Sequence, residues 1–386
     1  MLNNTKNLKY NYRLFAQCIP VKGFCRSVIV DVLRHRFHFI PNSLFNILTQ
    51  YKNKSIEQII EKFENSEIPI LNDYFNYLQE QELIFPIEQF ARQKFPDLSL
   101  SWDFPSLCSN SIIDIAKDSQ YNIDKALQKL SSIGCFHLQI RVFDEISIQE
   151  LKALINKATD LSFRTIQILV NKKKEESIDN YVQMMKDNWK IAKLEIFNAK
   201  ENKIFPVIGL YCMAISYSRK LQNTDQCGQI MSDYFAVSMD HITESQHFNS
   251  CLNRKICIDK KGEVKNCPSM EKNFGHINDL DLSKLLQNKE FTKLWMIRKD
   301  DIDVCKDCEF RYICTDCRCF IKDSNNIFSQ PDKCKYNPYI AKWEKSEGYI
   351  TVDEWKNCNP QWKKKVRRTL LVKQPIQFNQ MEFLCD

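Results

Sequence analysis

The sequence predicts an α/β protein of several domains, and three observations support this fold class. The chain has 386 residues and a mass of 45.8 kDa, which is more than one typical core needs and favours two or three domains. From residue 131 short apolar strands alternate with amphipathic helices, a pattern typical of parallel βαβ units. Nine of the 17 cysteines fall within residues 251–334, which indicates a separate thiol-rich region.

The composition excludes several classes of protein. With 44% hydrophobic and 27% charged residues, the chain has the composition of an ordinary globular protein rather than of a disordered or fibrous one. Its seven glycines lie too far apart to form a dinucleotide-binding or phosphate-binding loop, because both loops need closely spaced glycines where backbone approaches phosphate. We expect five segments, at residues 1–90, 91–130, 131–247, 248–340 and 341–386.

The first segment, residues 1–90, is predicted to be a small winged-helix-like module. Three short strands are indicated by YRLFAQCIP, RSVIVDVL and RFHFI, with turns at Lys22-Gly23 and Arg34-His35. Three helices follow, of which the second begins after Ser55 and the third covers Leu71 to Leu83 with apolar residues near the helical period. The module carries 10 Lys and Arg against 9 Asp and Glu, so its charge gives little support to nucleic-acid binding.

After a linker or helical connection over 91–130, residues 131–247 are predicted to form part of a (β/α) barrel or an open parallel sheet. The predicted elements are a strand at Cys135–Val142, a helix at Ser147–Leu161, a strand at Arg164–Val170, a helix from Ser177 to about Ala192, a strand at Leu194–Asn198 and an apolar run at 207–217. Ser147 and Glu150 form a capping box.

Four carboxylates lie in the loops that follow two of these strands, where a barrel enzyme would carry catalytic groups. They are Asp144, Glu145, Glu175 and Glu176. Solvated loop charges and functional groups are both compatible with their positions.

The cysteines supply the strongest signal in the chain. They follow the spacing Cys251-x5-Cys257-x9-Cys267, then Cys305-x2-Cys308-x5-Cys314-x2-Cys317-x-Cys319, then Cys334. KICIDKKGEVKNC predicts a β-hairpin that turns at 260–262 and brings Cys257 near Cys267. In a reducing compartment such thiols are better interpreted as metal ligands than as disulfides. Spacing alone is compatible with structural zinc and with iron–sulfur clusters.

This pattern, with Gly262 between Cys251 and Cys267, resembles the SPASM domain, the auxiliary iron–sulfur module of radical S-adenosylmethionine (SAM) peptide maturases. The resemblance covers about residues 248–340 and implies two [4Fe–4S] clusters. The first would be bound by Cys251, Cys257, Cys267 and Cys317, and the second by Cys305, Cys308, Cys314 and Cys334. The family usually leaves three residues after the third cysteine of the second run. Here Cys317 follows after two and Cys319 after four, so Cys319 is the alternate fourth ligand.

The three-strand, three-helix module resembles the recognition element with which ribosomal-peptide maturases bind the leader of a precursor peptide. In that family the leader adds a strand to a sheet edge and packs on a helix. By analogy the groove lies between Phe37–Ile40 and Leu71–Leu83. The order of the modules resembles the SPASM-type peptide maturase of grasp-with-spasm systems, which implies two partners, a precursor peptide and an ATP-grasp ligase.

The motif of an active radical SAM enzyme is missing from the sequence. Such an enzyme needs Cys-x3-Cys-x2-Cys after its first barrel strand, and no such triplet exists here. The glycine positions also exclude a Gly-Gly-Glu segment. We therefore expect a degenerate radical SAM-like barrel without SAM cleavage, and the sequence does not decide whether the protein is itself an enzyme.

Three functions remain open from the sequence. The protein could be a maturation protein whose clusters act on the peptide, a non-catalytic scaffold that presents the precursor to the ligase, or a zinc-bearing winged-helix protein that binds nucleic acid. His241 and His247 are candidate acid–base groups beside the first cluster, with simple burial or exposure as the alternative.

We expect no membrane partner, because no stretch of the chain reaches the length of a membrane span. We expect a cytoplasmic protein that does not bind nucleic acid. The basic run Lys363 to Arg368 is expected to be a solvated tail or a docking segment for an acidic partner.

Overall fold

The structure, a computed structural model, describes residues 11–52, 54–206, 212–222 and 227–362. Within these residues the chain forms fifteen β-strands and ten α-helices. Longer elements build the N-terminal module and the central sheet, whereas the thiol-rich region consists mainly of turns and loops joined by short elements. The basic run at 363–368 lies outside the described residues.

The N-terminal module contains five strands and three helices. They are β1 Asn11–Leu14, β2 Cys18–Lys22, β3 Ser27–Asp31, β4 Arg36–Ile40, α1 Asn42–Gln50, α2 Ile56–Ile60, α3 Ile68–Glu80 and β5 Ile84–Ile87. Strands β2, β3 and β4 form an antiparallel sheet, and β1 pairs antiparallel with β5. The strand predicted from YRLFAQCIP is therefore divided in two, because its halves join different sheets. The winged-helix-like assignment remains a prediction.

Local sequence explains the central strand and the second helix of this module. Strand β3 is buried along its whole length because both of its faces are covered. Ile29 packs with helices α1 to α3, and Val28 and Val30 pack on the other face, in the cluster that contains Phe310. Helix α2 begins at Ser55 with a capping box, as the residue type predicts.

A central eight-stranded sheet follows. Its elements are β6 Asn110–Ile115, α4 Ile123–Ser132, β7 His137–Ile146, α5 Ile148–Thr159, β8 Thr165–Lys172, α6 Ile178–Lys186, β9 Ile191–Phe197, β10 Lys203–Pro206, β11 Met213–Ser216, β12 Lys255–Ile258 and β13 Val264–Lys265. The strand order is β10-β11-β9-β8-β7-β6-β12-β13. Strands β11, β9, β8, β7, β6 and β12 are parallel to one another, and β10 and β13 are antiparallel to their neighbours.

The parallel sheet starts earlier than expected. Strand β6 and helix α4 lie largely in residues 91–130, where we expected a linker or helical connection, and they form the first βα unit of the sheet. The run NSIIDI is short and nearly all buried, and periodicity does not identify such a run as a strand. Helix α5 has the predicted capping box at Ser147. Part of the predicted apolar run, 207–211, lies outside the described residues.

The thiol-rich region is built on the predicted hairpin. Strands β12 and β13 pair with Cys257 opposite Lys265, and the turn contains Gly262 at a φ of +81°. A β-carbon on Gly262 would lie 2.9 Å from His276 Cε1, so the turn has no room for a side chain. The other elements are α7 Met239–His247, α8 Leu282–Leu285, α9 Lys289–Thr292, β14 Tyr336–Asn337, β15 Lys342–Trp343 and α10 Val352–Cys358.

The thiol-rich region also packs directly on the N-terminal module. Arg26 forms an ion pair with the buried Glu309 at 2.8 Å and lies over the ring of Phe39. Phe24 contacts the rings of Tyr339 and Trp355 on the C-terminal side. Among the described residues, none of the helices combines the length and the apolar character that crossing a membrane requires.

Candidate functional site

The structure brings five of the predicted thiols together near the start of β12, and three of them, Cys251, Cys257 and Cys267, act on Lys255. We call Cys251, Cys257, Cys267, Cys317 and Cys319 the first thiol group. Lys255 Nζ lies 3.7 Å from Cys251 Sγ. Burial by itself would lower the pKa of Lys255, but the nearby sulfurs, with Cys251 first, raise it.

Cys317 and Cys319 both lie in the first thiol group, so their positions do not show which of them is the fourth ligand. Cys317 Sγ accepts a hydrogen bond from the Phe320 backbone N–H at 3.4 Å, the kind of contact that tunes cluster sulfurs. Cys319 Sγ contacts the Ser269 carbonyl oxygen at 3.0 Å, and its thiol hydrogen-bonds that of Cys267. The assignment of Cys317 as a ligand therefore stays a prediction.

One cysteine that the sequence did not connect to this site also lies here. Cys227 is close enough to act electrostatically on Cys251, on Cys319 and on Lys255. The next residue, Gly228, packs on Cys317. Cys227 was grouped with the scattered cysteines because nothing in its flanking sequence marks a ligand.

The structure brings together Cys305, Cys308, Cys314 and Cys334, which we call the second thiol group; their role as ligands of one cluster stays a prediction. Cys305 begins a single 3-10 turn, and the Cys308 backbone N–H donates to the Cys305 carbonyl oxygen at 3.0 Å. This tight turn places the two sulfurs of the Cys-x2-Cys pair on the same side of the loop. The charges of Cys314 and Cys334 act on Cys305.

Lys299 occupies the same position in the second thiol group that Lys255 has in the first. Its Nζ lies 3.7 Å from Cys314 Sγ and 3.9 Å from Cys305 Sγ. It also forms an ion pair with Asp316 at 3.6 Å, and both side chains are almost fully buried. Asp316 also forms an ion pair of 2.7 Å with Arg318, so one carboxylate interacts with two buried cations.

The charges of both groups fit an anionic iron–sulfur cluster. Burial raises the pKa of Cys251 and Cys314 to about 11 and that of Cys305 to about 12, so metal-free thiols stay protonated. None of the ion pairs between described residues includes Lys255, and the groups that raise its pKa are the neighbouring cysteine sulfurs. Buried cations need a counter-charge, and thiolates bound to iron would supply it.

The arrangement of the thiols can also be compared with the geometry that a structural zinc ion needs. A structural zinc ion holds four sulfurs about 2.3 Å from one point, whereas a four-iron cluster binds each thiolate on a different iron. In the part of the chain that the structure describes, no three His, Cys, Asp or Glu side chains are arranged to hold a single metal ion.

The two histidines lie elsewhere than predicted. His241 hydrogen-bonds the backbone of Cys314, so it lies beside the second thiol group and not the first. Burial lowers the pKa of His241 to about 4, and its Nε2 is buried with no hydrogen-bond partner among the described residues. His247 Nε2 shares a hydrogen bond with the Leu100 carbonyl oxygen at 2.9 Å. The order of residues along α7 gave no indication of which group its side chains face.

A cavity of about 750 Å³ opens at the carboxyl ends of the parallel strands. It is lined by the loops after β6 and β11, by the ends of β7 and β8, by the hairpin turn and by Pro268, which follows Cys267. Below it Arg141 donates two hydrogen bonds of 2.7 Å to Asp114, and the charges of Cys227 and Cys257 act on Arg141. The cavity therefore lies beside the first thiol group.

Two of the four carboxylates that were expected in loops line this cavity, but they lie within β7, which continues to Ile146 past an irregularity between Val142 and Glu145. Asp144 accepts from the Lys117 backbone N–H at 2.6 Å, and Glu145 accepts from Lys220 Nζ at 3.2 Å. Glu175 and Glu176 are not among the lining residues, and Glu176 instead accepts from the Ile148 backbone N–H. The loop after β6, residues 116–122, contains no cysteine, so the SAM-binding triplet is missing after the true first strand as well.

Comparison with known proteins gives a match to one family and likenesses to solved structures, two of which are described below. Residues 250–309 match the SPASM family, described as an iron–sulfur cluster-binding domain. This range includes Cys251, Cys257, Cys267, Cys305 and Cys308 and is a minor part of the chain. No curated protein matches the sequence.

Both structural likenesses are distant. The crystal structure of Streptococcus suis SuiB bound to S-adenosylmethionine aligns with a TM-score of 0.28, and that of SuiB bound to precursor peptide SuiA with a TM-score of 0.29. Each has 9% sequence identity and covers 80% of this chain and 96% of the other. At this level of similarity neither a shared fold nor a shared function follows.

Proposed function

We propose that the protein takes part in the maturation of a ribosomally made, post-translationally modified peptide and carries two [4Fe–4S] clusters. The main support is the pair of thiol groups, each built around a buried lysine, in a region that matches an iron–sulfur domain over residues 250–309. The first cluster is assigned to Cys251, Cys257, Cys267 and Cys317. The second is assigned to Cys305, Cys308, Cys314 and Cys334.

The clusters would supply electron transfer or an iron site for the peptide, and the chain's own residues would hold the substrate. The cavity beside the first thiol group has room for a short peptide segment, since its volume is in the range of small-molecule sites. Its carboxylates are already paired, Glu145 with Lys220 and Asp118 with Lys260. We therefore assign them a binding and orienting role rather than acid–base catalysis.

The leader of the precursor would bind at β4. This strand pairs with β3 on one side, and on its other side no strand pairs with it in the described residues. Helix α3 lies beside that edge, where His38 Nδ1 shares a hydrogen bond of 3.2 Å with the Tyr77 hydroxyl. An extended peptide could therefore pair with β4 and pack on α3, as in β-strand addition.

The absence of the SAM-binding cysteines supports a second candidate function. A protein without its own radical chemistry could bind the precursor and present it to an ATP-grasp ligase, with the clusters as structural elements. Both candidates share the clusters, the precursor peptide and the ligase as partner.

Two measurements test the proposal. The full-length protein is purified without oxygen, and iron, acid-labile sulfide and zinc are counted per chain. Iron and sulfide for two clusters are expected, whereas stoichiometric zinc without iron would contradict the proposal. If a precursor peptide and an ATP-grasp ligase are encoded beside the gene, they are then incubated with and without the protein, and the mass of the peptide is measured; their absence would contradict the proposed pathway. Modification that does not depend on this protein would refute a role in maturation.

Variants that each lack one ligand cysteine distinguish the two candidate functions. The Cys308→Ala and Cys267→Ala variants are expected to lose modification if the clusters act on the peptide. If both variants fold and support full modification, the scaffold function is the correct one.

A further inference from the structure

We propose that Cys227 is an exchangeable ligand of the first cluster, whose thiolate binds the fourth iron when Cys317 is displaced. The inference rests on the proposed function, because it requires a cluster in the first thiol group. It concerns a residue that lies outside the spacing pattern of the other cysteines.

The segment around Cys227 is fixed between the two thiol groups by three contacts. Gly228 has a φ of +77°, and a β-carbon on it would lie 2.7 Å from Cys317 Sγ. Lys333 Nζ donates to the Cys227 carbonyl oxygen at 2.7 Å. Ile230 forms a parallel β-bridge with Cys334 of the second group. The backbone at 227–230 therefore runs past Cys317 at the first group and Cys334 at the second.

The backbone contact of Gly228 with Cys317 Sγ places the adjoining Cys227 at the first thiol group. In agreement with this position, Cys227 acts electrostatically on Cys251, Lys255 and Cys319. Six thiols thus surround a site that needs four. A four-iron cluster has one thiolate on each iron, so two of the six are in excess.

The sequence around Cys317 does not show which thiol is the fourth ligand of the first cluster. Cys317 and Cys319 flank Arg318, which is buried and donates to the carbonyl oxygens of Ile327 and Ser329 at 3.0 and 2.8 Å. Arg318 therefore holds this loop by its side chain but offers no ligand. Because Gly228 packs directly on Cys317 Sγ, the neighbouring Cys227 is placed to take over the same iron.

The proposed exchange balances without an oxidant or a reductant. Binding of Cys227 to iron would release its thiol proton to solvent, and the displaced Cys317 thiolate would take up a proton. No electron is transferred in this step. Cys227 also acts electrostatically on Arg141, whose partner Asp114 lines the cavity.

The test compares four variants of the full-length protein purified without oxygen. They are Cys227→Ser, Cys317→Ser, the double variant and Cys358→Ser, the last being an exposed cysteine of α10 that serves as the control. Iron and acid-labile sulfide are counted per chain, and the reduced clusters are followed by electron paramagnetic resonance. Each single variant is expected to retain the iron of the wild type, and the double variant to lose about half of it.

Two results would overturn the inference. One is that either single variant loses as much iron as the double variant, which would show that the two thiols do not replace each other. The other is that the double variant keeps all of its iron, which would show that another thiol, such as Cys319, supplies the fourth ligand and that Cys227 and Cys317 do not exchange. Signals of the second cluster in the double variant report that the chain is folded. Failure of the proposed function is distinct, because the wild type would then contain no iron.

Discussion

Replacing Lys299 by methionine should lower the reduction potential of the proposed second cluster. Methionine keeps most of the length of the side chain but removes the ammonium that lies 3.7 Å from Cys314 Sγ and 3.9 Å from Cys305 Sγ. Reduction adds one negative charge to the cluster and its sulfurs. Without the neighbouring cation that added charge is less stable, so the cluster becomes harder to reduce.

The size of the shift follows from Coulomb's law. At an effective dielectric of about 20 and a mean distance of about 6 Å, one positive charge stabilises the added electron by roughly 3 kcal/mol. About 1.4 kcal/mol corresponds to about 60 mV for a one-electron couple. We therefore expect a shift on the order of 100 mV to more negative potential, and Asp316 reduces it to the extent that it already neutralises Lys299.

The assay is a redox titration of the anaerobic protein followed by electron paramagnetic resonance. Lys255→Met is the companion variant and should shift the first cluster instead, because Lys255 lies 3.7 Å from Cys251 Sγ. Lys289→Met, at the start of α9 and exposed, is the control and should leave both potentials unchanged. A potential of Lys299→Met within about 20 mV of the wild type, with full iron content, would refute the electrostatic reasoning.

Three further predictions concern stability and metal content. Gly228→Ala should remove the iron of the first thiol group only, because its β-carbon would collide with Cys317 Sγ at a positive φ and would also shift the adjoining Cys227, so that both exchangeable ligands are displaced. Gly134→Ala, which has similar strain at a φ of +74° outside both thiol groups, should keep its iron. Asp114→Asn breaks a buried ion pair and should lower the free energy of unfolding by about 3–5 kcal/mol in denaturant titrations. The double change Asp114→Leu/Arg141→Leu should lower the free energy of unfolding much less than Asp114→Asn does. Equal losses would contradict the argument that an unpaired buried charge destabilises the single variant. Burial raises the pKa of Glu244 to about 7, so the folded state binds an extra proton between about pH 4.3 and 7 and stability should fall as pH rises through that range. Glu244→Gln should reduce this loss of unfolding free energy between pH 5 and 8 by on the order of 1–2 kcal/mol. A variant whose unfolding free energy depends on pH as that of the wild type does would contradict the prediction.

The elements with strong local signals agree with the sequence predictions. Ser55 and Ser147 each begin a helix with a capping box, because the side chain that satisfies the free backbone N–H groups is present in the sequence. The hairpin turn at 260–262 follows from one glycine between two apolar strands. These features depend on residues within a few positions of one another.

The features that the sequence did not reveal depend on contacts between distant parts of the chain. Strand β6 is recognised only by its pairing with β7 and β12, since a short buried run lacks periodicity. Cys227 joins the first thiol group through a backbone path that its neighbours in sequence do not indicate. His241 faces the second group because of how α7 packs. Neither Lys255 nor Lys299 is marked as a cluster neighbour by its flanking sequence.

The central sheet and the thiol-rich region share one strand, and this has a consequence for the loss of metal. Strand β12 carries Cys257 and is also the parallel neighbour of β6. Release of the first cluster would free Cys257 and weaken the hold on β12, and detachment of β12 would leave the backbone groups of β6 unpaired. Exposed strand edges are sites of aggregation. Oxygen damage to the cluster should therefore lead to precipitation of the whole protein rather than to a soluble, metal-free form, and a fragment that begins at residue 248 would lack the strand on which its hairpin is built.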